Sequence, residues 1–187
     1  MSLLTTPSQT VGPYLKIGFT ALAVDAIAPT GAPGEHLTIE GRVVDGDGKP
    51  VNDAVLEIWQ ADAGGKYVQA EDAIASGRGK FRGFGRILTD AHGAFRFTTV
   101  KPGAVPGPNG AAQAPHLVVT VFMRGLLKHL LTRIYFPDDP GNERDPVLLL
   151  VPADRRATLV AQRSAATATL QWNLVLQGEN ETVFFDF

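Results

Sequence analysis

The chain reads as an all-β protein, an antiparallel β-sandwich with long loops, an extended N-terminal arm and one short helix. Three observations lead there. Apolar and polar residues alternate over several short segments, the period of a half-buried strand. Gly and Pro are abundant, 20 and 13 of 187 residues, about 18% where about 12% is usual. Clusters of turn-forming residues separate the alternating segments. The length corresponds to about one domain, long enough to bury roughly 70% of the unfolded surface.

Residues 1–35 carry Pro7, Gly12, Pro13, Pro29, Gly31, Pro33 and Gly34 without a sustained period, and read as an arm preceding a sandwich domain over 36–187. From His36, the residues Leu37, Ile39, Gly41 and Val43 share one strand face. Asp45-Gly46-Asp47-Gly48 then supplies a turn, and Ala54 to Gln60 a returning strand, which predicts a hairpin. A loop of about twenty residues runs from Ala61 to Arg82, a length that points to function or a partner contact. A second hairpin is expected from Phe84–Thr89 and Ala94–Val100 around Asp90-Ala91-His92-Gly93. Lys101 to Pro115 is rich in Pro and Gly and reads as irregular. His116 to Met123 and Leu130 to Phe136 alternate strictly. Asp154 to Arg163 is the helix candidate, with Asp154 as its N-cap. Leu170, Trp172, Leu174 and Leu176 alternate with polar residues, and Thr182 to Phe187 reads as a last apolar strand.

Composition narrows the chemistry. A formal charge of −2 offers no basic field for nucleic acid. The absence of cysteine removes disulfides, thiolate catalysis and thiolate metal sites. Met1 to Thr10 has no Lys or Arg ahead of an apolar stretch, and the apolar run Val147–Val151 stops at Pro152. A cytoplasmic protein is therefore expected, with no secretory signal and no membrane span.

No Gly-x-Ser-x-Gly and no serine–histidine context supports a nucleophile. Asp138 and Asp139 precede Pro140-Gly141 and read as a solvated turn. A His-x-His pair on a strand would chelate a metal, but His116 is followed two residues on by Val118. His36, His92 and His129 are isolated, so the four histidines read as packed or surface residues and no metal ligand is assigned. Tyr67, Tyr135, Trp59 and Trp172 read as packing aromatics, and Lys128, Arg155 and Arg156 as surface charge.

The run Thr6-Pro7-Ser8-Gln9-Thr10-Val11-Gly12-Pro13-Tyr14 resembles the opening of the intradiol ring-cleaving dioxygenases. So do Gly41 to Val51 (Gly-Arg-Val-Val-Asp-Gly-Asp-Gly-Lys-Pro-Val), Leu56 to Tyr67, Thr99 to Gly103 and Leu131 to Phe136. The tail from Gly178 to Phe187 is similar to that of the alpha chains in the family's two-chain members. The resemblance implies a catalytic beta chain that binds ferric iron, Fe(III), through two tyrosinates and two histidines. It implies cleavage of 3,4-dihydroxybenzoate with O2 to 3-carboxy-cis,cis-muconate. The ligand positions fall near Ala73 and on Val105, His116 and Val118 of this chain, so the iron is expected in the partner beta chain, with no metal and no catalytic residue here.

The same resemblance places Arg133 in the shared substrate pocket, where a guanidinium would answer the ring carboxylate. The alternative for Arg133 is a structural salt bridge. The arm residues Thr10, Pro13 and Tyr14 would wall that pocket. An alternative reading, a transthyretin-like β-sandwich binding module without catalytic role, accounts for the opening strand–turn–strand but not for the arm, the Arg133 segment or the tail. A self-sufficient iron dioxygenase fails on Val105 and Val118.

Overall fold

The computed structural model of the chain describes residues 5–68 and 81–186. Within them lie strands β1 (His36–Val44), β2 (Val55–Trp59), β3 (Phe84–Leu88), β4 (Ala94–Val100), β5 (Val105–Pro106) and β6 (Ala112–Gln113). There follow β7 (His116–Phe122), β8 (Leu130–Tyr135), β9 (Gln162–Arg163), β10 (Thr169–Gln171) and β11 (Leu174–Val175); α1 spans Tyr14–Phe19. One sheet is built on β1, with β4 on one side, β10 and β11 on the other, and β9 beyond β10. The second runs β3-β2-β7-β8 and is antiparallel throughout. Their inner faces form one core, in which Leu37, Ile39, Val43 and Phe97 meet Leu56, Ile58, Leu117, Val119 and Ile134.

The strand faces follow the alternation, but the pairing does not follow sequence order. Neither expected hairpin forms. β1 pairs with β4, and β2 pairs with β3 and β7, so both turns carry the chain from one sheet to the other. Each is a tight Asx turn. Asp45 Oδ1 accepts from the N–H groups of Asp47 and Lys49, and Asp90 Oδ1 from those of His92 and Ala94. These bonds hold the Asp90 carboxyl below its ordinary pKa. Asp62 repeats the pattern with Gly64 and Lys66, closing a third turn inside the first long loop. The residue three positions after each Asp has positive φ and is Gly: Gly48, Gly65 and Gly93. Past such a turn, whether the chain doubles back or crosses over depends on which core receives its apolar face, and periodicity carries no record of that.

Other expectations are corrected. Residues 154–163 form no α-helix. A 3₁₀ turn covers Arg156–Leu159 with Arg155 rather than Asp154 at its N-cap, and β9 follows. Leu159 and Ala161, two apart, are both buried, and Ala161 N–H donates to the Tyr135 carbonyl, so this segment runs extended along the free edge of β8. Lys101–Pro115 contains the small β5–β6 ladder. The expected strand Thr182–Phe187 ends outside the described residues, and within its described part, 182–186, there is one bridge, Phe185 to Leu131, rather than a strand. The segment Leu170–Leu176 divides into β10 and β11, both parallel to β1. The break lies opposite Gly41, where a Cβ would stand 1.7 Å from the Trp172 carbonyl oxygen.

The arm contains α1 and is fastened to its own sandwich. Lys16 Nζ donates to the carbonyls of Asn52 and Thr89, Phe19 lies against the Arg86 guanidinium, and Val24 N–H donates to the Arg86 carbonyl. Ile27 N–H then donates to Thr98 of β4, so residues 24–27 clip the β3 edge of one sheet to the β4 edge of the other. Gly85 leaves room for the clip, since a Cβ there would lie 2.8 Å from Val24. Among the described residues, no helix is long and apolar enough to cross a membrane.

Replacing Gly41 by Ala forces a methyl into the Trp172 carbonyl. The expected loss is at least about 1–3 kcal/mol, the range for overpacking a tight site, read as a lower urea midpoint at unchanged m-value. Gly12→Ala, where nothing lies within 4 Å, serves as the control and leaves the midpoint in place.

Candidate functional site

The outer face of the β3-β2-β7-β8 sheet carries the unusual chemistry. In strands β7 and β8 the even-numbered and odd-numbered positions, respectively, point away from the core. This brings Trp59, Val118 and Arg133 into one row across three strands, with His116 and Tyr135 paired in the next row but one. Loop residues 145–160 and 183–185 cover part of this face, forming a second apolar cluster with Tyr135, Leu148, Val151 and Leu159. Trp59 stays 45% exposed and Tyr67 43% exposed, so Trp59, expected from the sequence to pack, is not a core residue. Trp172 is.

Arg133 meets no carboxylate within salt-bridge distance among the described residues. Its Nη1 donates to Gln113 Oε1 at 2.8 Å and to the Tyr135 hydroxyl at 3.2 Å. The structural salt bridge weighed for it from the sequence is thus absent among these residues, and a neutral amide and phenol hold the cation. The Tyr135 hydroxyl in turn donates to Asp145 Oδ1 at 3.0 Å. Asp145 is fully buried and also accepts from the N–H groups of Ala114, Val147 and Leu148. Burial raises the Tyr135 phenol well above its ordinary pKa, which keeps it a neutral hydrogen-bonding group. Tyr67 is also raised by burial, against the pull of the nearby Arg133 cation.

His116 is the buried histidine that the sequence predicts, with 3% of its surface exposed. Its Nδ1 lies 2.7 Å from the Ala114 carbonyl; since a carbonyl only accepts, Nδ1 carries the proton. Burial first, and the Arg133 charge second, lower its pKa to about 4.

The positions that the family resemblance aligns with iron ligands converge here. Val118 pairs with Arg133, His116 pairs with Tyr135, and Val105 pairs with Gln113, which binds Arg133. The aligned position near Ala73 lies outside the described residues. Two aliphatic side chains, one imidazole and a guanidinium do not suit a ferric ion, which takes imidazole and anionic oxygen donors and is repelled by a cation. The described residues contain no group of three His, Cys, Asp or Glu that could hold a metal.

The arm residues lie elsewhere. Thr10 Oγ1 accepts from the Gly125 N–H at 2.7 Å, which pins the arm to the β7–β8 turn, and Pro13 and Tyr14 are exposed at the start of α1. Arg133 directs its guanidinium to the far end of the same hairpin, toward Gln113 and Tyr135. One chain therefore does not gather Thr10, Pro13, Tyr14 and Arg133 around a single cavity. Sequence reading missed Gln113, Tyr135 and Asp145 as members of the Arg133 cluster. The i, i+2 spacing of Arg133 and Tyr135 on an alternating strand was the available signal. Asp139, expected as solvent-facing, is largely buried and ion-paired with Lys101 at 2.8 Å. Arg155 and Arg156, expected as surface charge, bond to the carbonyls of Glu181, Val151 and Leu149.

Comparison with known proteins agrees with this architecture. The Dioxygenase family model matches residues 20–178. The protocatechuate 3,4-dioxygenase alpha chain of Burkholderia cepacia is 45% identical, over 99% of this chain and 98% of that one. The beta chain from the same organism is 37% identical, over 80% of this chain and 67% of that one. Among solved structures, the dioxygenase domain of a dioxygenase–carbohydrate-binding fusion from Streptomyces sp. SirexAA-E superimposes with a TM-score of 0.65 at 28% identity, covering 86% of this chain and 89% of that one. With a family model spanning most of its length and relatives aligned end to end, this chain belongs to the intradiol ring-cleaving dioxygenases.

Proposed function

We propose that this chain is the alpha subunit of a protocatechuate 3,4-dioxygenase and completes the substrate pocket of a beta chain that holds the ferric ion. The observation that carries this reading is the pairing of an end-to-end likeness to an alpha chain with aliphatic residues, Val105 and Val118, at aligned ligand positions. The reaction adds both atoms of O2 to 3,4-dihydroxybenzoate and yields 3-carboxy-cis,cis-muconate, so no reductant is consumed. The partner supplies the ring-cleaving centre; this chain supplies recognition. A cytoplasmic location accompanies this role.

Recognition rests on Arg133. A ring carboxylate costs several kcal/mol to desolvate unpaired, and Arg133 is a partly buried cation without a carboxylate of its own among the described residues. A substrate carboxylate supplies the missing anion through charge-assisted hydrogen bonds. The exposed indole of Trp59, in the same row, offers a flat apolar wall. Thr10, Pro13 and Tyr14 contribute the arm's share of the wall. Because they lie at the other end of the β7–β8 hairpin, a pocket lined by both needs the beta chain between them or two alpha copies around it. The exposed Tyr14 and Ile17 of α1 are the apolar surface that such docking covers.

Co-expression with the beta chain tests the subunit assignment. Iron and ring cleavage are expected in the co-purified complex, and neither in this chain alone; stoichiometric iron in the lone chain, or undiminished turnover by the beta chain without it, contradicts the assignment. Within the complex, Arg133→Ala raises KM for 3,4-dihydroxybenzoate by roughly 1.5–3 kcal/mol of lost binding and leaves KM for an uncharged catechol nearly unchanged. Equal losses on both substrates would make Arg133 structural.

His116 sets an acid limit. Its folded pKa of about 4 lies below the ordinary 6.5, so between these values the unfolded chain holds a proton that the folded chain lacks. The stability contribution is complete above pH about 6.5 and is lost as pH falls toward 4, by on the order of 3 kcal/mol in all. His116→Gln flattens that part of the stability–pH curve, measured by urea unfolding between pH 4 and 7; an unchanged slope assigns the acid sensitivity to other groups.

A further inference from the structure

We propose that Gln113 and Tyr135 are positioning residues for Arg133, with Asp145 setting the polarity of Tyr135, so that the guanidinium turns its Nε–Nη2 edge to the substrate carboxylate. This rests on the functional reading above and adds to it the residues that fix the geometry of recognition.

The donors and acceptors around the guanidinium fix this orientation. Nη1 of a guanidinium carries two hydrogens, and Arg133 has two acceptors on that atom, Gln113 Oε1 at 2.8 Å and Tyr135 Oη at 3.2 Å. Nη1 is thereby fully used. Nε and Nη2 have no partner among the described residues, and together they form one of the two parallel donor edges that a carboxylate grips bidentately. Binding across the Nη1–Nη2 edge would require breaking a bond to Gln113 or Tyr135.

The polarity of Tyr135 is what makes it an acceptor. A phenol has one hydrogen, and that hydrogen is donated to Asp145 Oδ1 at 3.0 Å. The oxygen is left with lone pairs only on the side that faces Arg133. Asp145 cannot rotate to serve otherwise, since Oδ1 also accepts from Val147 and Leu148 and Oδ2 from Ala114. Gln113 is oriented in the same manner: its Nε2 donates to the Pro106 carbonyl at 3.0 Å, which points Oε1 at the guanidinium. Each acceptor on Nη1 is therefore held by a second bond to a backbone or buried anchor, and the long, flexible Arg133 side chain is confined before any ligand arrives.

Tyr135→Phe keeps the buried ring and removes only the oxygen. In the alpha–beta complex it is expected to raise KM for 3,4-dihydroxybenzoate roughly five- to tenfold, the loss of one charge-assisted hydrogen bond's worth of orientation, with kcat within about twofold and KM for 4-methylcatechol unchanged. In the Arg133→Ala background the same substitution adds nothing, because there is no guanidinium left to orient. Gln113→Met, at a partly exposed position that tolerates change more readily, gives the same substrate-selective rise and keeps the test open should Tyr135→Phe assemble poorly. A Tyr135→Phe or Gln113→Met effect that falls equally on both substrates, or that adds in full to Arg133→Ala, overturns the positioning role while leaving Arg133 as the carboxylate site. A selective loss in neither Tyr135→Phe nor Gln113→Met does the same. An Arg133→Ala complex that still distinguishes the charged substrate overturns the carboxylate role given to Arg133 above, and this proposal with it.

Discussion

Asp145 is a carboxylate with no exposed surface, and burying such a charge is unfavourable by several kcal/mol unless its oxygens are fully bonded. It meets that condition with four donors drawn from three parts of the chain: Ala114 before β7, Tyr135 at the end of β8, and Val147 and Leu148 in the following turn. These bonds seat the layer of irregular chain over the outer face of the second sheet. Without them Leu148, Val151 and Leu159 would lose the surface they pack on, and Tyr135 would lose the partner that orients its hydroxyl. The cation at Arg133, which donates to that hydroxyl, is the last link of that chain of dependence.

The place where the family resemblance aligns iron ligands is in this chain a site of opposite electrostatic sense. A ferric centre concentrates positive charge that anionic and imidazole donors neutralise. Here a guanidinium provides the positive charge, and the residues around it are neutral: an amide, a phenol, an imidazole with lowered pKa, and two valines. The nearest carboxylate, Asp145, stands behind Tyr135 with its oxygens already bonded, so among the described residues the cation has no anion in direct contact, an arrangement suited to an anionic ligand. Among the described residues the scaffold keeps the family's strands at this place without a donor set for a metal ion.

The arm shows a comparable economy of means. Residues 24–27 join the open edges of both sheets, Lys16 caps two carbonyl groups at one end of the second sheet, and Thr10 fastens the chain to the β7–β8 turn. The edges that would otherwise be open to non-specific pairing are covered, and α1 is left with its apolar Tyr14 and Ile17 facing outward. Anchoring the arm to its own domain lowers the conformational entropy that any docking on it would still cost.

Much of this was legible from residue order. Alternation in Leu37–Val43 and Leu117–Val121 marks the buried faces correctly, because the strand period is a local property of the backbone. The Asp-x-x-Gly turns at 45 and 90 were equally visible, since an Asx turn closes within five residues. So was the unsuitability of Val105 and Val118 as ligands, which follows from side-chain chemistry alone. What residue order does not contain is the partner of each face. Both turns read as hairpins and in fact cross between sheets. The candidate helix at 154–163 lies extended because β8 offers it an unpaired edge and two apolar clusters take Leu159 and Ala161. Arg133, Gln113 and Asp145 are brought together only by the β7–β8 pairing and the turn at 145–148, so the cluster, and the edge it leaves open, were settled by tertiary contacts that no local pattern encodes.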